Sequence, residues 1–443
     1  MTFDELNLNK PLLNALNDLG YTTPTPIQQK VFSVVMSGAD VCGIAQTGTG
    51  KTLAYVLPCL RQYQFSKDRL PQLLILVPTR ELVAQVVETI EKMSTYLTLR
   101  VVGVFGGVNL KTHVAEIKQG ADVLVATPGR LIDLLSNGTL KGKTIKRLVI
   151  DEMDEMLNLG FRSQLTTILD SLPAKRQNLL FSATITEEVE DLIHTFFTNP
   201  IRVEAAPVGT PLDNIQQQAY EVPNFHTKLN LLEWLLQDKA TFSKVMVFIE
   251  TKAEADQLFE QLDSKFPNEV GVIHSNKAQN NRFQTVQRFK TGEIRILIAT
   301  DLIARGLDVA EVSHVINIDT PELPETYIHR IGRTGRVDQK GVSITFITES
   351  EKEYQQAIES LMNQEIPMLP FPEEVEVSTL LRSDERPVNP HKIIEPKLTP
   401  RDSVGAAFHE KSAKNSKVNV RRNHAAEMMK KYGRPIKKTR KNN

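Results

Sequence analysis

The sequence predicts an α/β protein of two tandem doubly wound parallel-sheet domains with a cleft between them, followed by a flexible basic C-terminal tail. Three observations carry that prediction. Short, near-continuous apolar runs alternate with amphipathic stretches of helical period, the pattern of parallel strands buried on both faces. The alternation breaks at a Pro- and Gly-containing segment and then restarts in the same form. Beyond residue 390 the apolar runs vanish and basic residues dominate.

Taken in order, the first half offers strands at Val41–Ala45, Leu73–Val77, Val101–Phe105, Val123–Ala126, Leu148–Ile150 and Leu179–Ser182. Several lead into helical stretches, such as Leu53–Leu60, Arg80–Met93 and Glu187–Phe197. From Val203 to Leu212 the chain turns to Glu-Ala-Ala-Pro-Val-Gly-Thr-Pro, a linker composition. Strands resume at Lys244–Ile249, Val270–Ile273, Ile294–Ala299, His314–Ile318 and Val342–Phe346. The expected division is a first domain over 1–205, a linker over 206–217, a second domain over 218–370, and a low-order connector and tail over 371–443. Within that last part, Ser350 to Pro390 reads as a terminal helix plus a proline-rich connector.

At 443 residues and 41% apolar content the chain can build more than one sizeable core. It contains no apolar stretch of the roughly 18–20 residues that a membrane span needs. The opening Met1-Thr-Phe-Asp-Glu-Leu lacks the basic and apolar regions of a signal peptide. Cys42 and Cys59 are the only cysteines, too few for a zinc site. The reading is a soluble, cytoplasmic protein with no membrane partner. Net charge is zero, but residues 391–443 hold fifteen Lys/Arg against four Asp/Glu, +11, which leaves the rest at −11. A basic arm on an acidic body points to nucleic acid, with a solubility-promoting tail as the alternative.

The segment Ala45-Gln46-Thr47-Gly48-Thr49-Gly50-Lys51-Thr52 lies between a strand and a helix, the context of a P-loop. Gly48 and Gly50 let backbone N–H groups curl around phosphates, Lys51 supplies a point charge to the β- and γ-phosphates, and Thr52 can ligate Mg²⁺. Ala45 stands where the general pattern has its first glycine. Asp151 and Glu152 end the run Leu148–Ile150, where a parallel strand presents its carboxyl edge. Asp151 suits Mg²⁺, through its waters, and Glu152 suits orienting or deprotonating an attacking water. A helix N-terminus rich in acids is the plainer reading of the pair.

In the second half, His329-Arg-Ile-Gly-Arg-Thr-Gly-Arg336 puts Arg333 and Arg336 three residues apart. Arginines offered across a cleft stabilise charge developing on a transferred phosphoryl group. RNA phosphates are the competing target, and a basic surface turn is the plain alternative.

These motifs, their order and their separations resemble the DEAD-box RNA helicases of superfamily 2, from Phe3 to about Phe346. The resemblance implies two RecA-like domains that use ATP and Mg²⁺ and bind RNA. Phe3 and Gly20-Tyr-Thr-Thr-Pro-Thr-Pro-Ile-Gln28 are similar to the family's adenine-reading Q motif, with Gln28 on the base edge and Tyr21 or Phe3 stacking. Pro78-Thr79-Arg80-Glu-Leu82, Gly106-Gly107 and Thr127-Pro128-Gly129-Arg130 resemble its RNA-contacting loops. In the second domain, Phe248-Ile-Glu-Thr251 and Gln279-Asn-Asn-Arg282 resemble RNA-side motifs. Ala299-Thr300-Asp301-Leu-Ile-Ala-Arg-Gly-Leu-Asp308 resembles the segment touching both ligands, with Thr300 and Asp301 toward RNA and Asp308 toward the ATP ribose. Ser182-Ala-Thr184 resembles the motif coupling hydrolysis to strand separation, with His329 against it. Arg333 and Arg336 would meet the γ-phosphate, and Asp154 would link motifs without binding metal.

Two departures stand out from the family pattern. Met153 replaces a small alanine in Asp151-Glu-Met-Asp154, a change that could tune coupling. His274-Ser-Asn276 differs from the family's usual Gly and Asp after the histidine. The function implied is an ATP-dependent RNA helicase whose tail adds RNA or ribonucleoprotein affinity. An RNA clamp or assembly factor with little unwinding, a DNA translocase, and a structural P-loop protein are the rivals.

Overall fold

The strands form because their residues are apolar without interruption, and a four-residue run with both faces buried is stable only inside a sheet covered on two sides. The first sheet contains β1 (Val41–Ile44), β2 (Leu73–Leu76), β3 (Val101–Val104), β4 (Val123–Ala126), β5 (Arg147–Ile150), β6 (Gln177–Ser182) and β7 (Ile201–Glu204), ordered β3-β4-β2-β5-β6-β1-β7. The second contains β8 (Ile215–Glu221), β9 (Val245–Phe248), β10 (Val270–Ile273), β11 (Ile296–Ala299), β12 (His314–Asn317), β13 (Gly341–Ile347) and β14 (Met368–Leu369), ordered β10-β11-β9-β12-β13-β8-β14. Every pairing between these strands is parallel. Raising each label of the first sheet by seven gives the second, so the two lobes share one topology. The computed structural model describes residues 1–45, 48–204, 214–301, 312–335, 340–382 and 385. The basic tail lies outside them.

Alternate residues feed opposite core layers, as expected of a doubly wound sheet. Leu73 and Ile75 of β2 join Val41, Val123, Val125, Val149 and Phe181 in one layer. Leu74 and Leu76 join Cys42, Leu124, Ile150 and Leu180 in the other. In the second lobe Val245 and Val247 face one layer, Met246 and Phe248 the other. Adjacent placement of β5, β6 and β1 brings three chain segments to one carboxyl edge, with Ile44 beside Ser182 and Ile150 beside Leu180.

Three strands went unanticipated by the sequence. β8 starts at Ile215, inside the segment expected as linker, and its Gln216-Gln-Gln218 run masks it. Gln217 is nevertheless buried, its side-chain oxygen accepting a hydrogen bond from the Tyr327 hydroxyl at 2.9 Å. β7 is a largely exposed edge strand, and β14 is two residues long.

The connector expected to be low-order from residue 371 is instead fastened to the second lobe over its described part. Val375 is buried in that lobe's core with Phe371 packed against it. Asn224 Nδ2 donates to the Ser378 carbonyl at 2.6 Å, and Asn230 Nδ2 to the Glu376 carbonyl at 2.8 Å. The Phe225 N–H donates to Glu385 Oε1 at 2.6 Å.

Candidate active site and nucleic-acid interface

The loop after β1 turns at Gly48 and Gly50, both with φ near +90° (87° and 88°), a region costly for any residue with a Cβ. Gly50 caps the helix Lys51–Arg61, so Lys51 and Thr52 occupy its first turn. A Cβ on Gly50 would also run into the side-chain amide of Gln28. That amide donates to the Gly50 carbonyl (3.1 Å) and accepts from the Thr25 N–H (2.9 Å). Each half of it keeps one unused hydrogen or lone pair. Gln28 therefore buttresses the loop and retains capacity for a base edge. Of the two aromatic rings expected beside a base, Phe3 is 5% exposed in the core and Tyr21 is 48% exposed. Tyr21 is the one with an accessible ring.

Asp151 and Glu152 follow β5 directly; Asp151 is buried, and Glu152 is half-buried with its Oε2 closed off from solvent. Burial pushes the Asp151 carboxyl up, opposed by Lys51 and by the Tyr55 hydroxyl, which donates to Oδ2 at 2.9 Å. Tyr55 is a partner of Asp151 that sequence reading missed. It sits one turn after Lys51 in an apolar helix and looks like any core aromatic. Glu152 adopts a left-handed conformation, φ 53° and ψ 53°, rare for a residue with a side chain. Burial pushes its carboxyl up to about 7, with Asp151 adding to the rise and Lys51 and Arg333 opposing it. The field of Arg333, carried by the second lobe, thus reaches the first lobe's acid pair.

Asp154 is tied elsewhere. Its Oδ2 accepts from the N–H of Ala183 (3.1 Å), the N–H of Thr184 (2.9 Å) and the Thr184 hydroxyl (2.9 Å). Its own N–H donates to Ser182 Oγ at 3.2 Å. Burial raises its carboxyl, but His329, Lys51 and these hydrogen bonds outweigh burial and hold it below its ordinary range. Asp154 is thus hydrogen-bonded to Ser182 and Thr184 and feels the charge of His329.

The second group of residues lines a cavity of about 560 Å³ between the lobes. Pro78, Thr79, Arg80, Gly106, Thr127, Gly129 and Arg130 contribute from the first lobe, and Ser275, Lys277 and Arg282 from the second. Several helices start at or beside it. Thr79 caps Arg80–Met93, Thr127 precedes Pro128–Ser136, and Gln279 opens Gln279–Lys290. Such helix N-termini suit phosphate oxygens.

Glu81 joins the lobes directly. Its Oε1 lies 2.7 Å from Arg282 Nη2 and accepts from Gln279 Nε2 at 3.2 Å, while Arg80 Nη1 donates to Gln279 Oε1 at 3.3 Å. Glu81 and the Arg282 side chain are 6% and 7% exposed, so this pair is desolvated. Gly107, at φ 80°, makes room for the Arg80 guanidinium, which a Cβ there would strike.

Two expected RNA contacts are engaged by hydrogen bonds within the protein. Arg130 donates to the Val108 carbonyl (2.7 Å) and to His113 Nδ1 (2.5 Å), a histidine held to about 4 by burial and by Arg130 itself, hence neutral. Both Asp301 carboxylate oxygens meet Arg330, at 2.5 and 2.7 Å, and Thr300 is buried. Glu81 and Arg330 lie inside the quoted motifs but were given no role there, and His113 carried no signal in the sequence. Gln46, Thr47, Asp308 and Arg336 lie outside the described residues.

Two family models cover these segments in order: DEAD/DEAH box helicase over residues 25–192, and helicase conserved C-terminal domain over residues 227–338. The chain is 40% identical over 352 residues to the DEAD-box ATP-dependent RNA helicase CshA of Geobacillus kaustophilus, covering 79% of this chain and 74% of that one. This chain belongs to the DEAD-box family. It superposes on S. cerevisiae Dbp5 bound to RNA and ADP BeF3 with a TM-score of 0.76 at 30% identity, covering 83% of this chain and 95% of the other. Against a Dbp5 variant bound to nup159, a gle1 variant, ip6 and adp, the TM-score is 0.59 at 28% identity, covering 82% and 96%. The lobes of this DEAD-box protein are therefore arranged more like the first of those two forms.

Its unusual acid-box residue, Met153, is wholly buried in the core layer that holds Leu157, Leu180 and Val189. The extra side-chain volume relative to alanine is packed inside the lobe, away from the cleft. Among the described residues no helix is long and apolar enough to cross a membrane, and no group of three or more His, Cys, Asp or Glu could hold a metal unaided.

Proposed function

We propose that this DEAD-box protein is an ATP-dependent RNA helicase that couples ATP binding and hydrolysis to RNA binding and local duplex separation. The observation that carries the reading is the convergence of Lys51, Asp151 and Glu152 from one lobe with Arg333 from the other, beside an interlobe groove ringed by helix N-termini. Lys51 holds the β- and γ-phosphates, and Gln28 with Tyr21 receives the base. Glu152, raised by burial, is a stronger base than a solvated carboxylate and takes the proton of the attacking water. Arg333 and Arg336 neutralise charge building on the transferred phosphoryl group.

Mg²⁺ fits Thr52 and Asp151, since such an ion needs only one or two protein oxygens besides phosphates and water. When bound, it supplies Lewis-acid stabilisation of the phosphate oxygens. Asp154 relays the state of this site to Ser182 and Thr184. Contacts made mainly to phosphate and 2′-OH groups favour RNA over DNA and read little sequence. The protein works in the cytoplasm, and its tail adds a salt-sensitive RNA anchor. A chain ending at Pro390 should show a salt dependence of RNA affinity flatter by about one unit of slope per lost phosphate contact.

The deciding experiment is steady-state ATP hydrolysis with and without single-stranded RNA, beside matched DNA and a duplex-separation assay. Stimulation by RNA alone, with strand release, is expected. Hydrolysis indifferent to RNA, or stimulated equally by DNA, would refute the reading.

A further inference from the structure

Residues 371–382 and 385 lie beyond both segments matched by the family models, yet Arg382 reaches the helix that Thr251 caps. Arg382 is the centre of that contact. Its guanidinium lies 4.1 Å from the centroid of the Phe225 ring and pairs through Nη2 with Glu254 Oε1. The other oxygen of that carboxylate, Oε2, accepts from the Thr251 hydroxyl at 2.8 Å and from the Thr251 N–H at 3.3 Å. In return the Glu254 N–H donates to Thr251 Oγ1 at 3.2 Å. Arg382 is fixed on its own side as well, its N–H donating to Glu385 Oε2 at 2.9 Å.

We propose that Arg382 is a positioning residue for RNA. It locks the Glu254 carboxylate, and through it the Thr251 hydroxyl, whose one remaining lone pair is then held ready to accept from an RNA 2′-OH. This rests on the reading of Thr251 as an RNA contact.

Two physical effects act together. A carboxylate gripped at one oxygen by an arginine cannot rotate away from the threonine that it orders at the other. The guanidinium also offsets a negative charge that would otherwise repel phosphates arriving at Thr251. Glu250, next to Thr251, feels Arg382 in the same sense, its upward displacement by burial, Asp319 and Glu254 being opposed by Arg330 and Arg382. If the segment merely clamped the lobe shut, the Phe225 and Ser378 contacts would suffice, and RNA affinity would not depend on the Arg382 charge.

The test is a double-mutant cycle in the full chain, read as affinity for a fluorescein-labelled single-stranded RNA in the presence of ADP–beryllium fluoride. Arg382→Ala is expected to weaken binding roughly three- to tenfold, as expected for losing one charge-assisted contact. Thr251→Ala should do the same, and the double variant should be no weaker than the worse single one. Glu254→Gln keeps a capping residue but drops the ion pair and its negative charge together, so it loses the lock without gaining the repulsion and should weaken binding, though less than Arg382→Ala. Arg382→Lys should restore part of the loss.

Multiplying effects in the double variant, or full affinity in Arg382→Ala with Thr251→Ala impaired, would overturn the role of Arg382 alone. An unaffected Thr251→Ala would overturn the RNA-contact reading beneath it. If Arg382→Ala does not fold, Glu254→Gln decides the matter, since undiminished RNA binding there refutes the proposal.

Discussion

Replacing Glu152 with glutamine should inactivate the enzyme and stabilise it, and the two effects share one cause. Burial moves this carboxyl from 4.5 to about 7, so its ionised form disfavours the folded state. At about 1.4 kcal/mol per pH unit, the full penalty is ~3 kcal/mol. Below pH 4.5 both folded and unfolded chains carry the proton and nothing is lost. Between pH 4.5 and 7 the unfolded chain releases it while the folded one keeps it, so folding weakens as pH rises. Above pH 7 the whole penalty is present.

Glutamine mimics the protonated acid at every pH. Calorimetry of the full chain, following the first-lobe transition, should therefore show little difference at pH 5. At pH 8 the variant should melt roughly 6–12 °C higher, taking about 2–4 °C per kcal/mol for a lobe of this size. RNA-stimulated hydrolysis should fall on the order of 10²-fold or more, the contribution of a positioned base. In the wild type, that hydrolysis should rise with pH and reach half its plateau near pH 7. Equal stabilisation at pH 5 and pH 8, or turnover surviving the substitution, would refute the assignment.

Tyr55→Phe removes the hydroxyl on Asp151 and should cost about 1–2 kcal/mol while raising the Mg²⁺ concentration needed for half-maximal hydrolysis, read by metal titration. Arg282→Ala takes the ion-pair partner from the buried Glu81 and leaves it the Gln279 amide, which should disfavour the closed arrangement of the lobes by about 3 kcal/mol. Small-angle scattering with RNA and ADP–beryllium fluoride should then report a larger radius of gyration. Met153→Ala should open a cavity and destabilise the first lobe by about 2–5 kcal/mol in denaturant melts, with the RNA affinity of the surviving folded protein little changed.

The legible parts of this fold were those where local composition matches local burial. Leu73–Leu76 and Val123–Ala126 are buried on both faces and read as apolar without a break. β8 was hidden because Gln217 is satisfied by Tyr327, 110 residues away, which no local pattern records. The phosphate loop and acid pair were legible because their chemistry demands fixed residues at fixed spacing. The contacts of Tyr55, Glu81 and Arg330 were not, since their partners are set by the tertiary fold. Phe3 shows the converse: a residue placed in a motif by resemblance, whose ring the surrounding leucines and valines have enclosed.

The shared topology of the lobes has a consequence for stoichiometry. By position in the sheet, β8 is the counterpart of β1, so the helix Phe225–Gln237 corresponds to the phosphate-loop helix Lys51–Arg61. Its first amide does not await a phosphate, because Glu385 Oε1 already accepts that N–H. The second lobe thus carries a tethered anion where the first presents an exchangeable one. A carboxylate joined to the chain has no off-rate into solution, and no nucleotide can compete for its place without peeling the strap away. Equilibrium dialysis with a labelled ATP analogue should accordingly saturate at one nucleotide per chain.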